Sequence, residues 1–183
     1  MQEVKNDRKL QREMHKDFFD RCRNAIDNGC YFEAVLMEYA SIEARLEVIM
    51  GVIGLPCNKQ LSSKERQSII ISKRIECLRR VYRSSSILKN APIFDSDWMN
   101  LKDWIDKRNK CIHGLYKNEF QYKTRIKKME ELADNGYIYA NLLYKEAKRL
   151  RGLLHNGMLS STDNIHCGRL LCAYINNNPS KRL

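Results

Sequence analysis

Proline, glycine and long apolar runs are all scarce in this chain. Three prolines and eight glycines among 183 residues are too few for the many turns of a β-sandwich, so the composition favours helix. No stretch of about 18 consecutive apolar residues occurs, which predicts that the chain has no membrane span. A chain of this length suits one medium domain, and its 43% hydrophobic content argues against disorder.

The seven cysteines form no C-x-x-C pair, and we expect no secretory leader before them. An odd count without such pairs argues against a disulfide framework and a zinc ribbon, and it predicts a reducing, cytoplasmic setting. Cys111 lies close to His113, and His166 adjoins Cys167, but neither has the second pair that a tetrahedral metal site needs. We therefore expect structural thiols, no bound metal and no cofactor.

Basic residues outnumber acidic ones by 33 to 22, which gives a formal net charge of +11. Such a charge suits a polyanionic partner, either nucleic acid or an anionic membrane surface. The densest basic run extends from Lys73 to Arg83 and contains Tyr82, a combination that can follow an RNA backbone. A solvated helix face is the alternative interpretation. The tentative RNA-binding residues are Lys73, Arg74, Arg79, Arg80, Arg83 and, outside the run, Lys110.

Apolar residues recur with helical spacing in the first two segments. Residues 3–27 carry one at every fourth position from Leu10 to Ile26, and Asn28-Gly29 can end that helix because both residues tolerate a left-handed backbone. The next segment carries an apolar seam that is typical of a core-facing helix, and glycines and a proline after residue 50 end it. That seam consists of Val35, Tyr39, Ile42, Leu46 and Ile49.

Three further helices are predicted along the chain. A capping box at Ser62–Glu65 opens one whose apolar face runs from Ile71 to Tyr82. Asp95 or Ser96 can cap the next, which is expected to end at Gly114. The last long helix covers about residues 119–154.

The pattern as a whole predicts an all-α fold, an antiparallel bundle of four to five helices joined by short connections. We assign residues 1–155 to this bundle. Residues 156–183 form a C-terminal extension, in which residues 165–175 have the pattern of one short helix and the remainder is a frayed polar tail.

Arg108 interrupts an otherwise apolar stripe. It lies near the centre of the helix face that includes Trp98 and Ile105. A guanidinium group keeps its proton, so its burial requires an anionic partner. Two kinds of partner fit: a carboxylate of the bundle, such as Glu38 or Glu43 on the second helix, and the phosphate of a ligand.

His113 follows five residues later, where the helix is expected to end. The helix dipole there favours an imidazolium, and the ring can titrate near neutral pH. Because a five-residue step turns a regular helix by about 140°, Arg108 and His113 do not share a face. One site can use both residues if the helix unwinds at its end or if a second copy of the chain completes the site.

Arg108 is followed directly by Asn109 and, five residues after the arginine, by His113. With its surroundings in Trp98–Tyr116, this order resembles the signature helix of HEPN domains. Those domains are all-α bundles, and their ribonuclease members carry an R-x4-6-H motif with a polar residue, often asparagine, after the arginine. The resemblance covers roughly residues 10–155 in helix order, and residues 31–43 on the second helix share it.

Two other pairs have the spacing of the motif, Arg8 with His15 and Arg149 with His155. The first pair lies in the charged opening helix and the second at the exposed end of the last helix. In neither pair is the arginine followed by asparagine. Context therefore singles out Arg108, whereas spacing alone does not.

The resemblance implies a metal-independent endoribonuclease that acts as a homodimer. An RNA 2′-hydroxyl would attack the adjacent phosphate and leave a 2′,3′-cyclic phosphate. His113 would be the general base or acid, Arg108 would stabilise charge on the phosphorane, and Asn109 would orient the phosphate or the histidine. The resemblance further implies a toxin or antiviral defence effector, with an antitoxin or another regulatory protein as its partner.

Two other functions stay open at the level of the sequence. One is a catalytically silent HEPN-like module that binds RNA, a nucleotide or a protein partner. The other is a basic all-α adaptor or DNA-binding regulator. An intact Arg108, Asn109 and His113 favour the enzyme over the silent module, and no helix-turn-helix spacing supports DNA binding.

Overall fold

The computed structural model of the protein describes residues 2–53, 71–85, 88, 91–117 and 122–157. These ranges contain five α-helices and no β-strand, which confirms the predicted all-α class. The predicted capping box at Ser62–Glu65 and the predicted C-terminal helix at residues 165–175 lie outside the described residues. The helices are α1 (Gln2–Asp27), α2 (Tyr31–Ile53), α3 (Ile71–Ser84), α4 (Asp95–Lys117) and α5 (Tyr122–His155).

Helix α1 ends where Asn28-Gly29 predicted. Gly29 has a φ of 73°, the left-handed conformation that a glycine adopts at little cost. Its N–H donates to the Ile26 carbonyl at 2.9 Å, and the Cys30 N–H donates to the Ala25 carbonyl at 2.8 Å. This pair of bonds is a Schellman motif, and it satisfies carbonyl groups that the helix end leaves without partners.

Most of the predicted apolar stripes are buried. Trp98, on the predicted stripe, and Trp104, which was expected at its flank, are both core residues, and burial of large side chains of this kind stabilises a fold by roughly 1.5–3 kcal/mol each. The stripes fail in the middle of α1, where Met14 is 64% exposed, and near the start of α5, where Ile126 is 39% exposed. Among the buried stripe residues are Val35, Ile42, Leu46, Ile49, Ile75, Leu78, Leu101, Ile105, Leu143 and Leu150.

Helix α4 begins at Asp95, but the carboxylate at its start that accepts a backbone bond belongs to Asp97. The Asp97 Oδ2 atom accepts from the Phe94 N–H at 2.8 Å, which is the reach-back half of a capping box. Asp95, which was expected to cap this helix, instead holds the Arg79 guanidinium through two hydrogen bonds of 2.7 and 2.9 Å.

The chain divides into two compact units that alternate along the sequence. The first comprises Met1–Ala40 and Lys107–Ile138, and the second comprises Ser41–Asp106 and Tyr139–Leu183. Arg108, Asn109 and His113 therefore belong to the first unit, together with α1, the start of α2 and the start of α5. The basic helix α3 belongs to the second unit. In the described ranges, every helix is too short or too polar to cross a bilayer.

Candidate active site on helix α4

Helix α4 continues through His113 and Gly114 to Lys117. The expectation that Gly114 ends this helix is therefore wrong. Among the described glycines, only Gly29 and Gly157 have the positive φ of a helix-ending residue, whereas Gly114 is buried inside α4. A glycine costs a helix interior only about 1 kcal/mol, a penalty that tertiary packing can offset. An unwound helix end, one of the two ways to combine Arg108 with His113, is thus absent.

The Arg108 side chain is held by two neutral groups. Its guanidinium carbon lies 4.1 Å from the centre of the Tyr39 ring, over the face of the ring. Its Nη1 atom donates a hydrogen bond of 3.0 Å to the Asn109 side-chain oxygen. The Nε atom is buried and has no hydrogen-bond partner. Arg108 as a whole is half-buried, as its place on the stripe predicted.

Neither carboxylate proposed as a structural partner binds Arg108. Glu43 forms an ion pair with Arg74 at 3.9 Å, and both oxygens of the Glu38 carboxyl group lack a hydrogen-bond partner. Within the described ranges, no carboxylate forms an ion pair with Arg108. Among the described side chains, none neutralises its positive charge, which can therefore attract an anion.

Glu38 is fully buried on the same face of α2 as the apolar seam. The pKa of its carboxyl group is raised from 4.5 to about 9, mainly by burial and also by the nearby Asp134, while Arg23 acts in the opposite direction. At neutral pH the group is consequently protonated and uncharged, so it supplies no negative charge to any arginine. Burial also raises the pKa of the Cys22 thiol to about 12, with a contribution from Glu38.

Asn109 and His113 are separated by four residues of regular helix and therefore lie on one face of α4, about 5–6 Å apart at their Cβ atoms. Asn109 is half-buried and His113 is exposed. The hydrogen bond between Arg108 and Asn109 draws the guanidinium towards this face. Lys110, a tentative RNA contact, is exposed three residues before His113 and forms no ion pair in the described part of the chain.

The arginines of α3 are paired with carboxylates. Arg79 binds Asp95 in a bidentate manner, with Arg83 3.9 Å from the same carboxylate, and Arg80 binds Glu76 at 3.2 Å. Arg74, one of the predicted RNA-binding residues, is buried and paired with Glu43. Most of the positive charge of the basic run is therefore balanced by carboxylates of the chain. An RNA phosphate would have to compete with those carboxylates for the arginines.

Tyr82 within the basic run is also unsuited to stacking on a nucleotide base. The residue is buried, its ring lies 5.2 Å from that of Trp98, and its hydroxyl donates to Glu146 at 2.5 Å. Burial raises the pKa of Tyr82, which keeps the hydroxyl protonated as a donor. Glu146 also accepts two bonds of 2.7 Å from Arg149, so the arginine of the Arg149–His155 pair is committed to a buried carboxylate.

Sequence reasoning placed Tyr39 on the core seam of α2 and missed its contact with Arg108. The sequence contained one indication of this contact: Arg108 and Tyr39 both lie on otherwise apolar stripes.

Cys111, close to His113, is a buried free thiol whose pKa is raised by burial. In the described ranges, His, Cys, Asp and Glu side chains nowhere form a group of three that could hold a metal ion.

No protein-family model, curated protein or solved structure matches this chain. The motif in α4 and the geometry around Arg108 are therefore the features that bear on function. Among the described residues, the Arg108 guanidinium is held in place without a carboxylate partner, in the helical turn that precedes the exposed His113.

Proposed function

We propose that this protein is a HEPN-type endoribonuclease, which cleaves RNA by attack of a 2′-hydroxyl on the adjacent phosphate. The observation that carries the proposal is the state of Arg108, which is half-buried, held by Tyr39 and Asn109, and without a carboxylate partner among the residues that the structure describes. A structural arginine in a bundle core would be expected to pair with a buried carboxylate, as Arg149 does with Glu146. A phosphate-binding arginine has to keep its charge available.

The chemistry assigns a role to each of the three residues. The 2′-oxygen bonds to phosphorus while the bond from phosphorus to the 5′-oxygen breaks. His113 is exposed to RNA and takes the proton of the 2′-hydroxyl or gives one to the 5′-oxygen. Arg108 stabilises the added negative charge of the phosphorane. Asn109 fixes the orientation of Arg108 through its side-chain oxygen.

A homodimer is part of this proposal. Cleavage needs a proton to be removed at one end of the phosphate and another to be supplied at the opposite end, and one histidine performs one transfer at a time. Since α4 remains helical past His113, a second copy of the chain is the arrangement that brings further arginine and histidine side chains to the same phosphate. Lys110, which is exposed on the same helix, would contact the RNA backbone beside the phosphate that is cut.

By the same resemblance, the biological role we propose is that of a toxin or an antiviral defence effector under the control of an antitoxin or another regulatory protein. This biological role depends on the nuclease activity, because a toxin or effector of this kind would act by cutting RNA.

We expect the purified protein to cleave single-stranded RNA in the presence of excess EDTA, because imidazole and guanidinium groups supply the proposed chemistry. The extent of cleavage is measured by gel analysis of an end-labelled RNA after incubation with EDTA, with Mg²⁺, or with neither. Equal cleavage in all three reactions is the expected result. Cleavage that disappears with EDTA and returns with Mg²⁺ would rule out the proposed mechanism.

A further inference from the structure

We propose that Tyr39 is the positioning residue of Arg108: its ring fixes the guanidinium in place without neutralising it. This inference rests on the proposed ribonuclease function. It adds to that function a residue on a different helix, outside the arginine–histidine motif. Tyr39 and Arg108 both belong to the first compact unit, so the contact lies within one packed part of the chain.

The geometry of the contact is that of a stacked cation and ring. The guanidinium carbon of Arg108 is 4.1 Å from the centre of the Tyr39 ring, well inside the range of about 6 Å over which such contacts are favourable. The ring attracts the charge of the guanidinium without accepting a hydrogen bond in the way that a carboxylate oxygen would, so the N–H donors stay available. One of these donors is bonded to Asn109, which fixes the rotation of the group above the ring.

A tyrosine ring can hold Arg108 without cancelling the positive charge of its guanidinium, which a carboxylate cannot do. A carboxylate would hold the arginine equally well, as Asp95 holds Arg79, but it would balance the charge and compete with phosphate for the same donors. Tyr39 and Asn109 are both uncharged. They restrict the motion of a long side chain and leave its charge available for a phosphate.

The support for Tyr39 itself comes from α2. Its ring is half-buried and lies on the same side of α2 as Val35 and Ile42, which are completely buried. Buried neighbours on either side limit the rotation of this part of the helix, so the ring presents a fixed surface to Arg108. A flexible or fully exposed ring would not position a partner in this way.

The chain offers a matched control for a cation stacked on a ring. Arg45 lies over the ring of Tyr144 at 5.2 Å, and its Nε atom, like that of Arg108, is buried without a hydrogen-bond partner. Both residues belong to the second unit, which contains none of the three motif residues. Replacing Tyr144 therefore removes the same type of contact without touching the candidate site.

The experiment compares Tyr39→Phe, Tyr39→Leu and Tyr144→Leu with the wild-type protein in cleavage of a single-stranded RNA. Tyr39→Phe keeps the ring and should stay within about twofold of the wild-type kcat. Tyr39→Leu removes the ring and should lower kcat by about tenfold or more and raise KM by a smaller but measurable factor, because Arg108 contacts the phosphate of the bound RNA and binds it more strongly in the charged transition state. Tyr144→Leu should stay within about twofold. Urea unfolding of each variant checks that it is folded, and Tyr39→Met replaces Tyr39→Leu if the latter is not.

A second readout, binding, is independent of catalysis. Fluorescence anisotropy measures the affinity for a 2′-O-methyl RNA oligonucleotide, which lacks the attacking hydroxyl, in Tyr39→Leu, Arg108→Ala and the double variant. We expect weaker binding in each single variant and no further loss in the double variant relative to Arg108→Ala, because the ring acts only through the arginine.

The outcomes separate this inference from the proposed function. If RNA cleavage depends on Arg108 but Tyr39→Leu cleaves at the wild-type rate, or loses no more than Tyr144→Leu, the inference is wrong and the nuclease stands. Equal losses in Tyr39→Phe and Tyr39→Leu would assign the effect to the hydroxyl and overturn it as well. If the wild-type protein does not cleave RNA, the nuclease proposal fails. Non-additive binding would then still support Tyr39 as the residue that positions Arg108 at an anion site, and additive losses would refute it.

Discussion

Replacement of Arg108 or of His113 by alanine is expected to lower the rate of RNA cleavage by at least about 100-fold. Loss of a proton-transfer residue costs about 10²- to 10⁴-fold, and loss of a group that stabilises transition-state charge costs a comparable factor. Neither change should unfold the protein, because His113 is exposed and Arg108 has no ion pair to break in the described part of the chain. Initial rates on a labelled single-stranded RNA measure the effect.

His155→Ala is the matched control for this prediction. His155 is exposed at the end of α5 and has the motif spacing from Arg149, but Arg149 is bound to Glu146. The control should cleave RNA at nearly the wild-type rate. Equal losses in His113→Ala and His155→Ala would show that alanine substitution damages the protein generally, and the assignment of His113 would then fall.

A mixture of the two inactive proteins tests whether the site draws on both chains. Subunits of Arg108→Ala and His113→Ala can exchange, and a mixed dimer can combine the arginine of one chain with the histidine of the other. We expect the mixture to regain part of the wild-type activity, because random pairing makes about half of the dimers mixed, and each mixed dimer keeps one arginine and one histidine at the shared site. Full activity of a protein that sediments as a monomer would contradict the composite site.

The second large effect concerns Glu38 and the dependence of stability on pH. The pKa of its carboxyl group is about 9 in the folded protein, above the ordinary value of 4.5, so the folded state keeps a proton that the unfolded state releases between these values. The free energy of unfolding contributed by this group is therefore highest below about pH 4.5, and it falls as pH rises to about 9. The decrease is roughly 1.4 kcal/mol for each pH unit at most.

Glu38→Gln removes this titration and keeps the size of the side chain. Relative to the wild type, the variant should gain roughly 2–3 kcal/mol in the free energy of unfolding between about pH 5 and pH 7. Urea unfolding of both proteins at several pH values measures the difference. Parallel curves for the two proteins across this range would mean that Glu38 is ionised in the folded state, contrary to its burial beside Asp134 and Cys22.

The helices could be predicted from the sequence because each one carries its pattern within itself. The spacing of Trp98, Leu101 and Ile105 defines a face of α4 whatever packs against it, and all three residues are buried. The pattern does not show whether another helix packs against every turn of such a face. For that reason Met14 belongs to a predicted stripe and is nevertheless exposed.

The environment of the candidate site could be predicted only in part. Arg108 was found because a charge on an apolar stripe is visible in the sequence, but its partners depend on other helices. The commitment of Glu43 to Arg74 and the protonation of Glu38 arise from packing between helices. The place of Gly114 inside α4 could not be predicted for the same reason. In a single sequence, a glycine that ends a helix cannot be distinguished from one that is buried inside a helix.

The central claim is that RNA is cut by its own 2′-hydroxyl, and one substitution in the substrate tests it most directly. Two RNA oligonucleotides are compared in EDTA, identical except that the second has 2′-deoxyribose at the nucleotide before the main cleavage position. The account predicts that the first is cut to a product with a 2′,3′-cyclic phosphate, identified by its mass, and that the second is not cut at this position. Cleavage of the deoxy-substituted oligonucleotide there at the same rate would contradict the account.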